Sequence, residues 1–225
     1  MSLCARPYSR AEQVADRLLH GAALAASVVG AGVLIALALR RDDPMLAGSV
    51  ILYGFALVAL FLTSGLCNHD LADYSSRWAR RLRRLDHAAI FFMVAATYTP
   101  FTVSTLEPPY GWLLLAFVWG VALLGIGAKL LLPQPPGRWF SVALCLTLGW
   151  SVVLVLDPLI AAIPTAGLVL LLIGGVLYSA GVLFYLWHRL PYHHVAWHGM
   201  VVAAASCHYA AILVGVVLAP GPTAG

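Results

Sequence analysis

Seven stretches of this chain, 21–39, 46–67, 87–106, 111–132, 138–156, 160–187 and 194–218, each run for about twenty residues with scarcely a charge. A helix crosses the roughly 30 Å hydrocarbon core of a bilayer in about 20 apolar residues. No water is available there, so every backbone N–H and C=O must be satisfied within the segment, which selects helices. The chain is 62% hydrophobic and 10% charged, where a soluble domain carries about 25% charged residues. It has too little polar surface to cover a globule in water. The expectation is an all-α, integral membrane bundle of seven transmembrane helices in a single domain, residues 1–225: a polar lead-in (1–20), the spans (21–218) and a short outer tail (219–225).

Charge placement sets the expected orientation. With the N-terminus inside, the inner segments hold Arg6, Arg10, Arg17, Arg77, Arg80, Arg81, Arg83, Arg84, Lys129, Arg138 and Arg189, while the outer side holds Arg40 and Arg41. Basic loops stay cytoplasmic, so the N-terminus is expected in the cytoplasm and the C-terminus outside. The lead-in is polar and Arg-rich, without the short apolar core of a cleavable signal peptide. The basic run WARRLRRLD reads as a topology signal or a site for anionic lipid head groups, and nucleic acid is not expected as a partner. Cys4, Cys67, Cys145 and Cys207 form no CxxC pair and give no disulfide framework. Outer loops are expected at 40–44, 107–111 and 157–167, and inner loops at 68–84, 132–137 and 188–193, each punctuated by Pro or Gly in most cases.

Ionisable groups at membrane depth are costly and mark candidate sites. His20 begins the first span, Ser64 and Asn68 end the second with His69 just beyond, Asp86 and His87 open the third, and His194 and His198 open the seventh. In the expected topology all lie at the cytoplasmic ends of four helices. Glu12, Asp16 and His20 share one helical face by their i, i+4, i+8 spacing. His194 and His198 stand one turn apart on one face, the spacing by which one helix supplies two imidazoles to zinc. Solvated interfacial histidines are the plain alternative, and His193, off that face, fits it best. Asp86 can pair with Arg83 or Arg84, or serve the helix N-terminus, or it can orient a metal-bound water. A serine such as Ser64 in mid-helix can simply bond back to the preceding turn. His208 is expected as a core histidine bonded to Ser206 or to a neighbouring helix.

AEQVADRLLHGAALAASVVG, FLTSGLCN, RRLDHAAIFFMVAATYTPF and HVAWHGMVVAAASCHYAAI together resemble the hemolysin III family, the bacterial branch of the progestin and adipoQ receptor superfamily. The resemblance runs almost end to end and implies a multi-pass protein of the bacterial inner membrane. It is similar to the adiponectin receptors and alkaline ceramidases, which hold zinc near the cytoplasmic face. The resemblance implies His194 and His198 as metal ligands, Ser64 and Asp86 as catalytic residues positioning a metal-bound water, and attack on a lipid amide or ester carbonyl. The family's third ligand follows the serine by four residues, where this chain has Asn68. His69 is one position later, and about 140° from Ser64 on a continuous helix, so it reaches the site only if the helix unwinds near Cys67. Asn68 or His69 is therefore the expected third ligand.

The expected function is a zinc site at the cytoplasmic face acting on, or regulating, membrane lipids as partners. A pore-forming cytolysin and a non-enzymatic receptor are the alternatives. A pore needs polar faces along several spans, and 111–132 is apolar apart from Lys129.

Overall fold

The computed structural model describes residues 8–69 and 76–219. All regular structure among them is helical: α1 (Arg10–Ala38), α2 (Pro44–His69), α3 (Arg77–Ser104), α4 (Tyr110–Leu130), α5 (Arg138–Trp150), α6 (Leu156–Ala162), α7 (Thr165–Leu186) and α8 (His193–Ile212). A 3-10 turn (Leu39–Arg41) extends α1, another (Ser151–Val155) joins α5 to α6, and α8 ends in a π-helical stretch, Leu213–Val217.

Six helical runs are long and apolar enough to cross a membrane: Arg10–Arg41, Pro44–Cys67, Tyr110–Leu130, Arg138–Ala162, Thr165–Leu186 and His193–Val217. The 28 residues of α3 fall outside that set by composition, because Arg77, Arg80, Arg81, Arg83 and Arg84 occupy its first turns. Large apolar side chains such as Phe55, Leu124 and Leu154 point outward, 66%, 73% and 75% exposed, which suits a surface solvated by hydrocarbon.

Helices adjacent in sequence pack together: α1 on α2, α2 on α3, α3 on α4, and α7 on α8, while α1 meets α8 to join the two ends of the chain. Small residues set the close approaches, as in lipid where van der Waals fit does most of the work. A Cβ on Gly181 of α7 would sit 3.1 Å from Trp197 and Met200 of α8, and one on Gly174 would strike the His208 ring. In α3, Pro100 removes a backbone donor; Thr97, Thr99 and Thr102 bond back to carbonyls of the same helix.

The join between α1 and α8 begins at the N-termini. Ser9 Oγ accepts from the Glu12 N–H at 3.2 Å and the Glu12 carboxylate accepts from the Ser9 N–H at 2.7 Å, a capping box that satisfies otherwise orphaned donors. Glu12 Oε1 also accepts from the Tyr192 N–H at 2.8 Å. Tyr192 has φ 57°, a left-handed conformation costly for a non-glycine residue. One carboxylate thus ties the start of α1 to the turn that opens α8.

Two expected loops are shorter than the sequence suggested. Residues 157–167 were expected as an outer loop, but α6 occupies Leu156–Ala162 and α7 resumes at Thr165. Pro158 falls in the first turn of α6, where its missing N–H has no helical partner to lose. The inner segment 68–84 gives way to α3 at Arg77, whose N-terminus Ser76 caps by accepting from the Ala79 N–H at 3.0 Å. Asp86 therefore lies well inside α3 rather than at its opening.

Candidate metal centre

The docking of α1 against α8 brings together side chains far apart in sequence. His198 Nδ1 lies 2.6 Å from Asp16 Oδ1. A carboxylate only accepts, so Nδ1–H donates, and the neutral imidazole keeps its lone pair at Nε2. His194 and His198, one turn apart, meet edge to face with ring centroids at 4.6 Å. Asp16, His194 and His198 each offer a ligand atom, and these atoms all lie within 4.8 Å of one another. This group can hold a metal ion. Asp16 and His198 are buried, with 7% and 8% exposure, so neither is a solvated surface group. A tetrahedral zinc with ligands at about 2.0–2.1 Å spaces them about 3.4 Å apart, inside the 4.8 Å span of the group, with the ion taking the place of the Asp16–His198 hydrogen bond. The donor set, one carboxylate and two imidazoles, suits zinc among other transition metals.

His20 packs beside this group, its ring centroid 4.3 Å from that of His198. Its Nδ1 lies 2.8 Å from the Asp16 backbone carbonyl, which only accepts, so Nδ1–H donates there. The other nitrogen, Nε2, is 3.1 Å from Ser64 Oγ on α2. With Nδ1–H committed, a neutral His20 accepts at Nε2, so the Ser64 hydroxyl donates to it. Asp86 on α3 neighbours Ser64.

Asp16, Asp86, His194 and His198 line a cavity of about 350 Å³ together with apolar side chains of α3, α5, α7 and α8. The structure brings His194, His198, Ser64 and Asp86 to one locus. The side chains of Asn68 and His69 lie outside the described residues. Asp16 is the group that sequence reasoning did not assign to the site. Its shared face with Glu12 and His20 was the available signal.

Other local expectations divide, with His208 bonded to a neighbouring helix as one of its two alternatives had it. Ser64 bonds across helices to His20. His193, expected in contact with head groups, is buried at 7% exposure, with Tyr8 Oη 3.4 Å from its Nε2. Burial follows from its place at the first turn of α8, directly under the segment leading into α1. His208 Nε2 donates to Leu171 O on α7 at 3.3 Å, whereas Ser206 bonds to Val202 O.

The family model described as haemolysin-III related matches residues 9–209. The chain belongs to the hemolysin III family. It is 32% identical to the Hemolysin-3 homolog of Bacillus subtilis (strain 168) over 90% of this chain and 93% of that protein. It is 33% identical to Hemolysin-3 of Bacillus cereus over 90% of each chain. A more distant likeness, 28% identity over 89% of this chain and 83% of the other, is to the human monocyte to macrophage differentiation factor, which ties the family to the progestin and adipoQ receptor superfamily. No solved structure matches the chain.

Proposed function

We propose that this hemolysin III protein is a zinc-dependent hydrolase of lipid amide or ester bonds in the bacterial inner membrane. Seven spans and a cytoplasmic N-terminus accompany this reading. At 28 residues and 1.5 Å per residue, α3 is about 42 Å long. It packs between α2 and α4, and its arginines end at the level of the site. Eleven basic residues on the inner side against two outside support the orientation.

The observation that carries the chemistry is the Asp16–His198–His194 cluster facing an apolar cavity, with Ser64 and Asp86 at its edge. A bound zinc supplies Lewis acidity and a water of lowered pKa. The chain's own groups do the rest. Asp16 would give up its hydrogen bond to His198 on becoming a ligand, and its charge would offset part of the ion's. Asp86, in the cavity wall, is the carboxyl placed to exchange a proton with the reacting water and a departing amine or alkoxide. Apolar walls admit an acyl chain and keep bulk water out. Purified protein in neutral detergent should release fatty acid from a fluorescent N-acyl or O-acyl lipid. Chelation should abolish the release and zinc should restore it, whereas release unchanged by chelation would count against the metal.

Cytolysis is a second reading, raised by the name Hemolysin-3 of two relatives. The apolar outward faces of α4 and α7 favour a protein resident in its own membrane. Dye leakage from liposomes without any lipid cleavage would support the cytolytic reading.

A further inference from the structure

Next to the metal-facing chamber lies a second cavity, about 540 Å³, walled by the first turns of α3, the end of α4, the start of α5 and residues 133–136. Arg80, Arg83, Arg84, Lys129 and Arg138 all line it. Among the described lining residues there is no Asp or Glu. The two cavities adjoin: Arg83, His87, Lys129, Ser141 and Tyr185 line both.

The cations are built in. Arg84 donates to the Leu132 and Pro133 carbonyls at 3.0 and 2.9 Å, satisfying carbonyls beyond the end of α4 that have no helical partner. Lys129, only 7% exposed, donates from Nζ to Pro136 O at 3.0 Å. Arg138 donates to His188 Nε2 and lies over the Tyr185 ring, 5.8 Å from its centroid. Burial, then the Arg138 and His193 charges, hold the His188 imidazole below its usual pKa, so it stays a neutral acceptor. Carbonyl and imidazole partners orient Arg84, Lys129 and Arg138 without cancelling their charge. Three such cations around one vestibule make an anion-attracting field, and its place beside a largely apolar chamber fits a molecule with an anionic head and a hydrocarbon tail.

We propose that the vestibule binds the phosphate head group of an anionic membrane lipid whose acyl part enters the adjoining chamber. This rests on the reading of that chamber as a lipid-carbonyl site and adds the substrate class, a net-anionic phospholipid or phosphate-bearing acyl lipid. Electrostatics selects the head: a zwitterionic choline head group brings a cation that Arg84, Lys129 and Arg138 repel, whereas a glycerol-phosphate head does not. The bilayer is the source we assign, since the chamber end demands a tail.

The test is lipid retention. The full chain is purified into a neutral maltoside detergent, mixed with equal amounts of phosphatidylglycerol and phosphatidylcholine, and passed through gel filtration. Bound lipid is then measured by mass spectrometry. Phosphatidylglycerol should be retained at least tenfold over phosphatidylcholine. Gln134→Glu adds a carboxylate in the vestibule loop, remote from the helix cores, and should lower that ratio at least threefold. Adding Ser141→Asp should remove most of what remains, while Ser141→Asn should change little. Retention should survive chelation, because no candidate metal ligand lines the vestibule. That separates failure of the metal reading (no zinc, retention intact) from failure of this one. Equal retention of the two lipids, a ratio indifferent to Gln134→Glu, or loss on chelation would overturn the proposal. Displacement by millimolar inorganic phosphate would also overturn it, by identifying a free anion as the ligand.

Discussion

Asp16 is where the chemistry of the site is most concentrated. Its side chain holds His198 Nδ1–H while its backbone carbonyl holds His20 Nδ1–H, so one residue sets two imidazoles. Asp16→Asn keeps the shape but replaces a charged ligand oxygen by a neutral amide, a poorer donor for a transition metal, and metal affinity should fall at least about tenfold. Competition with a chromogenic chelator measures it, and an affinity unchanged by Asp16→Asn would remove Asp16 from the site. Ser64→Ala should leave metal binding within a few-fold while lowering lipid hydrolysis at least tenfold, because the hydroxyl holds His20 beside the site and touches no ligand atom directly. The histidine pair was legible from its spacing of four, and Ser64 and Asp86 from their position at span ends. Asp16 was legible only as one member of a polar face. Its partner is 182 residues away, and nothing local to either segment states that α1 docks on α8.

At the scale of elements, the fifth apolar run is instructive. It is one transmembrane-length unit broken in the middle, where Tyr98 Oη of α3 lies 2.7 Å from Gly149 O and 3.0 Å from Leu148 O and accepts from the Val152 N–H at 3.1 Å. A single hydroxyl thus satisfies backbone groups that the 3-10 turn frees. Tyr98→Phe should destabilise the bundle by about 1–3 kcal/mol, the usual cost of leaving buried polar groups without a partner, read as a lower midpoint in a thermal aggregation assay in detergent. The break could not be inferred from sequence, since the tyrosine that stabilises it is on another helix. The length of the run was misjudged for a different reason: Asp157-Pro158 looks like a turn, yet proline in a first helical turn loses no hydrogen bond. Packing between α7 and α8 depends on bare glycines. Gly174→Ala drives a methyl into the His208 ring and should cost about 1–3 kcal/mol as overpacking does, visible in the same assay. A variant as stable as the parent would mean that α7 and α8 can separate without penalty.

The whole molecule gathers its buried ionisable groups, Glu12, Asp16, His20, Lys129, His193 and His198, at one end. Hydrophobic run lengths made the helical bundle legible, because lipid leaves a chain few alternatives; six runs meet the length and composition for crossing, and α3 differs because its basic turns double as the wall of the vestibule. Single cysteines introduced in the loop 131–137 and at Glu107 should label from opposite sides of sealed inverted vesicles with an impermeant maleimide, the 131–137 site reacting and the Glu107 site protected. The central claim is a metal held by Asp16, His194 and His198, and its most direct measurement is the metal content of the purified full chain by mass spectrometry. About one zinc per chain is expected, falling at least tenfold in His194→Ala and His198→Ala while Ser64→Ala retains it. An intact protein without a bound transition metal, or one whose metal is indifferent to both histidine substitutions, would contradict the account.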